Sequence, residues 1–382
     1  MELINSTGFQ AAYTLGLEPD GRESIVVVIK GTFVFPKDGG TLEKSEKQIP
    51  PVMTDVFSGE PGLSTLLYES DFAPYKPCCD VLLNGSAYAP EAKPSKRVSV
   101  GLSVGPWKKY FDVVGERVWE KRFFSVSPSE PRSFLTKPIR YDLAYGGVDM
   151  HPDDPEKVAG YAQNPIGIGF YPYSKNKNLT GKALPCTEQM GAPITNVDSS
   201  YKPMSFGSLC RNFAERVSWA GTYDQDWIDN VFPFLPADFN PYYYQSAPAD
   251  QQIDYPQGGE EVVLINLTSQ GRTSFSLPRL DMPVEFSTRK IERTTTRATL
   301  DTILIEPDLK RVMLTWRASR PLKKNMLEMA QVVIGQMPRG WYRAREMGKT
   351  YYTSLAELVR SRRAQASDSE PEDAGYDAEE EA

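Results

Sequence analysis

The chain has 382 residues, of which 40% are hydrophobic and 24% are charged, and it contains 31 prolines, 28 glycines and 20 tyrosines. A chain of this length buries a large core without disulfides or metal, and its many turn-forming and aromatic residues favour strands over long helices. The net charge is −7, but residues 364–382 alone hold eight acids and no Lys or Arg. The remainder is therefore nearly neutral, which argues against a nucleic-acid-binding protein.

Several other classes of protein are excluded by what the sequence lacks. The first residues show no basic run followed by an apolar run, so no signal peptide is expected. No stretch approaches the roughly 20 apolar residues of a membrane-spanning helix. His151 is the single histidine, and the cysteines at 78, 79, 186 and 210 contain no CxxC pair. Most zinc sites and most Ser–His or Cys–His mechanisms are thereby excluded, and we expect no cofactor.

The first third of the chain has the patterns of strands and turns. The apolar, β-branched run at 24–35 predicts a buried strand, and residues 80–88 predict another. Apolar residues alternate with small or polar ones over 97–104, which is typical of a half-buried strand. Two further runs, 110–114 and 117–124, are separated by a Gly-Glu pair and predict a hairpin.

The middle of the chain, residues 130–215, is rich in proline and glycine and keeps no helical period. We expect long ordered loops here, packed by Tyr and Phe, and such loops are often functional. A helix is predicted near 224–232, capped by Thr222 or Asp224 and ended by Pro233. An aromatic cluster follows at 238–244.

Strand patterns return in the last third of the chain. Residues 261–267 predict a strand, and residues 299–305 and 311–317 predict a hairpin around a Pro-containing turn. A short helix is expected over 355–360.

These patterns predict a mainly β protein (β-rich α+β) with curved antiparallel sheets, long ordered central loops and few short helices. The predicted segments are an N-terminal β lobe (1–130), a loop-rich aromatic segment with one short helix (131–260), C-terminal β strands that pack on the rest (261–350), a short helix (351–366) and a disordered acidic tail (367–382).

Two clusters of carboxylates are candidates for chemistry. Asp149, Asp153 and Asp154 lie near His151 and could bind a divalent metal or act in acid–base catalysis, although a solvated loop explains them more simply. Asp224, Asp226 and Asp229 lie near Trp227, as in glycosidases, although acidic residues at a helix start also suit the helix dipole. A carbohydrate-active or carbohydrate-binding protein that uses these carboxylates therefore remains an alternative.

A series of short motifs runs in a distinctive order between residues 20 and 320. They are VIKGTF at 28–33, SDFAP at 70–74, GSA at 85–87, GERVW at 115–119, AYGG at 144–147, NPIG at 164–167, GTYD at 221–224, FLPADF at 234–239, APADQQ at 247–252 and LTWR at 314–317. In this order they resemble a bacterial domain family, formerly of unknown function, that is encoded beside type VI secretion spike genes. The chain departs from that pattern at Cys186, where Asn is expected.

The resemblance implies a non-catalytic adaptor or chaperone in the cytoplasm of a Gram-negative bacterium. Such a protein stabilises a secreted effector and helps to load it onto the VgrG or PAAR spike protein, without nucleic acid, membrane or cofactor. A structural component of the spike or baseplate is a further alternative; a stable symmetric oligomer would favour it.

Aromatic loops are the predicted contact surface for a partner, because Tyr offers a large, rigid contact area at low entropy cost. The competing interpretation is that these rings fill gaps between sheets. Basic residues also interleave with aromatics over 339–363, which suits protein docking at least as well as nucleic acid. The predicted contact residues are Tyr141, Tyr145, Tyr171, Tyr173, Phe239, Tyr242, Tyr243, Tyr244, Trp341 and Tyr342.

Overall fold

The computed structural model describes residues 1–367 except residues 19, 38, 124, 175, 291 and 353. The chain divides into two compact units, Met1–Ile334 and Gly335–Ala382. Strands make up 39% of the structure and helices 14%, which confirms the predicted mainly β fold. The predicted acidic tail lies, from residue 368 onward, outside the described residues. No helix in the described part is long and apolar enough to cross a membrane.

The strands are mostly short and are spread over the whole first unit. In chain order they are Glu2–Asn5 (β1), Gln10–Leu17 (β2), Glu23–Val34 (β3), Glu43–Lys44 (β4), Val56–Phe57 (β5), Leu66–Tyr68 (β6), Cys79–Leu83 (β7), Gly85–Tyr88 (β8), Arg97–Val104 (β9), Trp107–Val114 (β10), Trp119–Arg122 (β11), Ser125–Pro128 (β12) and Thr136–Ile139 (β13). They continue with Tyr145–Gly146 (β14), Val148–His151 (β15), Asp154–Gly160 (β16), Ile168–Gly169 (β17), Thr187–Glu188 (β18), Gln252–Ile253 (β19), Glu261–Ile265 (β20), Arg272–Ser276 (β21), Pro283–Thr288 (β22), Arg293–Arg297 (β23), Thr299–Glu306 (β24), Arg311–Pro321 (β25) and Met329–Ile334 (β26).

The helices are few. They are Asn176–Leu179 (α1), Ala214–Val217 (α2) and Gln225–Asn230 (α3) in the first unit, and Arg339–Glu346 (α4) and Leu355–Ser367 (α5) in the second. The central segment therefore carries two single-turn helices besides the one that was predicted. The final helix is longer than predicted.

Three larger sheets build the first unit. The seven-stranded sheet has the order β19-β7-β24-β25-β3-β2, with β4 added beside β3. The five-stranded sheet has the order β18-β10-β9-β20-β21, and the four-stranded sheet has the order β1-β26-β22-β23. Most pairs are antiparallel, as predicted, but β7 runs parallel to β24 and β1 runs parallel to β26. Strands from both ends of the chain thus share the same sheets.

One hydrophobic core joins these three sheets. It takes Ile25, Val27 and Ile29 from β3, alternate residues of β9 such as Val100, and residues of β22 such as Phe286. Because side chains alternate between the two faces of a strand, this pattern leaves the residues between them on the opposite face. We call that opposite side of the seven-stranded sheet its outer face.

The outer face of the seven-stranded sheet carries buried charges. The Lys30 ammonium lies 2.6 Å from Asp71, the Lys76 ammonium lies 2.7 Å from Asp80, and the Arg317 guanidinium lies 2.6 Å from Asp301. All six side chains are at most 10% exposed. We call these three pairs the buried ionic layer. The first two pairs connect β3 and β7 to the chain segment just before β7, and the third joins β24 to β25.

The predicted hairpin over residues 110–124 is wrong. Strand β10 pairs instead with β9, from Trp107 opposite Val104 to Val114 opposite Arg97. Gly115 serves a close approach between chain segments, since a Cβ atom there would lie 1.7 Å from the carbonyl oxygen of Arg132. The predicted strand over 80–88 is also two strands, because β7 joins the seven-stranded sheet whereas β8 pairs with β13.

The other predictions of regular structure agree with the observed elements. The strand at 97–104 and the hairpin of β24 and β25 are present in the predicted places. The sequence patterns did not indicate β1, β2, β22, β23, β26 or α4. Residues 149–154, predicted as a solvated loop, instead form the ends of the β15–β16 hairpin.

Replacing Lys76 by Met is expected to lower the free energy of unfolding by about 3–5 kcal/mol, because the fully buried Asp80 carboxylate then lacks its counter-ion. Urea denaturation followed by tryptophan fluorescence at pH 7 measures this change. Lys93→Met is the matched control, because the Lys93–Glu91 pair is exposed and adds little. Equal denaturation midpoints for the two variants would show that the buried pair does not stabilise the fold.

Candidate protein-binding surface

Helix α3 begins at an acidic cap, as the sequence predicts. The Asp224 carboxylate accepts a hydrogen bond from the Trp227 backbone N–H at 2.9 Å, which satisfies one of the free donors of the first turn. Thr222, the other predicted cap, instead donates its hydroxyl to Asp238 at 2.7 Å. The helix ends at Asn230, three residues before Pro233.

The turn that leads into helix α3 is tied to the segment that follows it. The Asn240 N–H donates to the Trp219 carbonyl at 3.0 Å, and the Thr222 N–H donates to the Asp238 carboxylate at 2.9 Å. Gly221 adopts a φ of +84°, and a Cβ atom there would lie 3.1 Å from the Phe239 backbone nitrogen. This close approach favours glycine and holds the two segments together.

Large apolar side chains on these two segments and on helix α3 are exposed to solvent. Their exposed fractions range from 38% for Tyr242 to 65% for Phe232. The Tyr223 and Phe232 rings both meet Trp227 edge-on, and Trp219 lies 5.8 Å from Tyr242 between ring centroids. We call this set the aromatic surface; its members are Trp219, Tyr223, Ile228, Phe232, Phe234 and Tyr242.

Arg216 supports the aromatic surface from below. The residue is 2% exposed. Its guanidinium donates to the Tyr243 carbonyl at 2.8 Å and to the Leu209 carbonyl at 3.0 Å. It also donates to the Glu69 carboxylate at 2.7 Å, and Arg211 donates to the same carboxylate at 3.0 Å. The backbone under the rings is therefore fixed by charge-assisted hydrogen bonds.

The buried ionic layer fixes the end of the same segment. Asp80, which pairs with Lys76, also accepts hydrogen bonds from Gln245 at 2.7 Å, from the Ser246 N–H at 2.9 Å and from the Ala247 N–H at 3.2 Å. The 3₁₀ turn Pro241–Tyr244 comes directly before these residues. The position of Tyr242 is thus set by contacts within the sheet.

The predicted contact residues between 239 and 244 lie at this surface. Tyr242 is exposed, whereas Phe239, Tyr243 and Tyr244 are half-buried and pack their rings against one another. Burial raises the pKa of Tyr244 to about 12, so its phenol stays protonated at neutral pH. These three rings form the base of the surface and leave Tyr242 at its edge.

Tyr141 and Tyr145, two other predicted contact residues, offer almost no surface to a partner. Each is 2% exposed. The Tyr141 ring packs edge-on against Phe213, and the Tyr145 ring packs against Tyr161 and Tyr201. The competing interpretation, that aromatic rings fill gaps in the fold, describes these two residues.

The remaining predicted contact residues belong to other parts of the chain. Tyr171 donates its hydroxyl to the Ala183 carbonyl, and the Tyr173 N–H donates to Asp149, which is 3% exposed. Both tyrosines are half-buried. Trp341 and Tyr342 belong to helix α4 of the second unit, where their rings meet edge-on at 5.0 Å.

Four of the aspartates predicted as catalytic candidates make structural contacts, in the case of Asp153 through its backbone N–H. Asp226 accepts a hydrogen bond from Asn230 at 2.7 Å on the exposed side of α3, and Asp224 caps the helix. The Asp153 N–H donates to the His151 ring, and Asp154 pairs with Lys157. Among the described residues, no group of three or more His, Cys, Asp or Glu side chains could hold a metal ion.

A groove of about 580 Å³ beside strand β11 is a second candidate site. Its lining includes Arg117, Lys137 and Cys186. Burial raises the pKa of the Cys186 thiol above its ordinary value, although nearby Lys137 acts in the opposite direction, so the thiol is a poor nucleophile. Arg117 pairs with Glu188 at 2.6 Å, and Lys137 lies 3.4 Å from Glu116. Both basic side chains therefore form ion pairs within the fold.

Five members of the aromatic surface were missed by the sequence analysis, which singled out neighbouring tyrosines instead. They are Trp219, Tyr223, Ile228, Phe232 and Phe234. The sequence did contain one signal of exposed rings. The stretch from 217 to 271 has no Lys, Arg or His, so it has no long basic side chain whose apolar stem could cover the rings.

Comparison with known proteins gives one match. The family model described as "Uncharacterized protein conserved in bacteria (DUF2169)" matches residues 20–317. That span includes the buried ionic layer and the aromatic surface. No curated protein and no solved structure matches the chain.

Stability is expected to fall as the pH drops below about 4.5, in part because of Glu69. Burial raises the pKa of this carboxyl, but attraction to Arg216, Lys76 and Arg211 outweighs burial and leaves the pKa below its ordinary value of 4.5. A carboxyl whose pKa is lowered in the folded state stabilises the fold above its unfolded-state pKa, and this contribution is lost as the pH falls through the folded-state pKa.

Urea denaturation between pH 7 and pH 3 measures this dependence. Glu69→Gln should be less stable than the wild type at pH 7 and should lose less stability on acidification. Glu120→Gln is the matched control, since Glu120 is exposed. If Glu69→Gln follows the same pH curve as the wild type, the role assigned to Glu69 is wrong.

Proposed function

This chain belongs to the bacterial family DUF2169, and we propose that it is a non-catalytic adaptor that binds another protein through the aromatic surface. The exposed rings carry this proposal. Six large apolar side chains stand in solvent on one short segment, and such clusters mark protein–protein contacts far more often than isolated exposed residues do.

The hydrogen bonds beneath the aromatic surface support the proposed binding of a partner. Hydrogen bonds from Arg216 and to Asp80 hold the backbone of this segment in place before any partner arrives. A surface that is already ordered loses little conformational entropy on association. The same carboxylates and guanidinium groups are fully used in these contacts, which favours a binding role over a catalytic one.

We assign the adaptor to type VI secretion in the bacterial cytoplasm, on the order of motifs from residue 28 to residue 317. In this assignment the chain stabilises an effector before export and helps to load it onto a VgrG or PAAR spike protein. Several of those motifs supply the buried ionic layer: Lys30, Asp71 and Arg317 belong to three of them. They preserve the fold that presents the rings.

Capture from the native bacterium tests this function. Affinity-tagged full-length chain should recover an effector and a spike protein, identified by mass spectrometry. The double variant Trp219→Ala/Phe232→Ala should recover at least about tenfold less of both, because buried aromatic anchors carry much of the binding energy of an interface. Its melting temperature should match the wild type, since both rings are exposed.

The matched control is Phe123→Ala, which removes a ring that is 94% exposed in the turn between β11 and β12. This variant should recover the partners as the wild type does. Equal recovery by the double variant would exclude the aromatic surface as the binding site. Recovery of neither an effector nor a spike protein would exclude the type VI assignment.

A further inference from the structure

The aromatic surface lies in a part of the chain whose charge is entirely negative. Between residues 217 and 271 there are eight acidic residues and no Lys, Arg or His. Four of the acids, Asp224, Asp226, Asp229 and Asp238, are exposed on helix α3 or on the segment after it. The rings and these carboxylates therefore share one exposed region.

These four carboxylates keep their negative charge uncompensated by cations within the described residues. Asp224 and Asp238 accept hydrogen bonds from backbone N–H groups, at Trp227 and Thr222 respectively. Asp226 and Asp229 accept hydrogen bonds from uncharged amides of Asn230 and Gln225. None of these donors carries a formal charge.

The arginines nearest to the region are already paired. Arg211 and Arg216 both donate to Glu69, and Arg211 also reaches Asp55. Arg22, which follows Gly21, where a Cβ atom would lie 2.8 Å from the Phe234 ring, pairs with Asp20. The field over the rings is thus set by the unpaired carboxylates.

From this combination we propose that the aromatic surface takes a cationic segment of the partner protein, one whose apolar side chains cover the rings while its Lys or Arg side chains meet Asp224, Asp226, Asp229 and Asp238. Opposite charges at the rim of an interface steer association and select the partner. Exposed Trp and Tyr faces also attract Lys and Arg directly. This inference rests on the proposed binding role and adds the chemistry of the partner.

Two matched synthetic helical peptides test the proposal with the full-length protein. Both carry the same Leu positions on one face; one carries Lys and the other Glu at every polar position. Fluorescence titration should give at least about tenfold tighter binding of the Lys peptide at low salt, because several rim charges act together. The preference should shrink at 0.5 M salt, where charges are screened within a few ångström.

The triple variant Asp224→Asn/Asp226→Asn/Asp229→Asn removes three negative charges and keeps the shape of the side chains. Helix α3 should keep its cap, because Asn at position 224 also caps helices. It should bind the Lys peptide about tenfold more weakly than the wild type. The control Glu91→Gln/Glu120→Gln/Glu130→Gln removes three exposed acids from other elements and should bind as the wild type does. Trp219→Ala/Phe232→Ala should weaken binding of both peptides.

Three results of the peptide titrations would overturn the proposal: equal affinity for the two peptides, failure to bind the Lys peptide, or unchanged binding by the triple Asn variant. Dimerisation of the wild type that the triple variant abolishes would make a second copy of this chain the occupant, and would also overturn it. If native capture still depends on Trp219 and Phe232 in any of these cases, the binding role stands and only the cationic partner is excluded. If capture is independent of those rings, the proposed binding role itself fails.

Discussion

Three ion pairs inside the protein fix the relation between its largest sheet and the loops that cover it. A charge removed from water is tolerated only beside a partner. The pairs of Lys30 and Lys76 therefore tie the outer face of the sheet to the irregular segment before β7, and Arg317, which is paired with Asp301, donates to the Asp71 and Ala73 carbonyls of the same segment. An apolar outer face would allow those segments to slide. The pairs instead select one arrangement, in which Asp80 is left with enough free lone pairs to bind the backbone at 245–247.

The aromatic surface is a consequence of that arrangement. Its rings lie on a segment with only a six-residue helix and one 3₁₀ turn, which would be too little regular structure to hold exposed side chains by itself. Arg216 below and Asp80 at the end supply the missing order. The binding role that we propose therefore depends on polar contacts that lie beneath the rings.

Local patterns in the sequence predicted local structure well. The alternation over 97–104, the cap of α3 and the hairpin of β24 and β25 each depend on neighbours in the chain, and each was found. The burial of aromatic residues could not be predicted in this way. Tyr145 and Trp219 each lie within two residues of a glycine, yet one is enclosed by Tyr161 and Tyr201 and the other is exposed to solvent. Whether each ring is buried depends on residues that are distant in the sequence. The same is true of Gly115, where the close approach of the Arg132 carbonyl leaves no room for a side chain.

The pairing of β3 with β25 has a consequence for synthesis of the protein. Lys30 lies opposite Thr315, and β1 lies beside β26, so the sheets of the first unit cannot close until nearly all of it has left the ribosome. Pairings this distant in sequence form slowly, and until β25 is available the long apolar strand β3 can pair only with its neighbours in sequence, β2 and β4. During translation one edge of an apolar strand therefore stays unpaired until the end of the first unit has been made, and an exposed apolar edge of this kind favours aggregation.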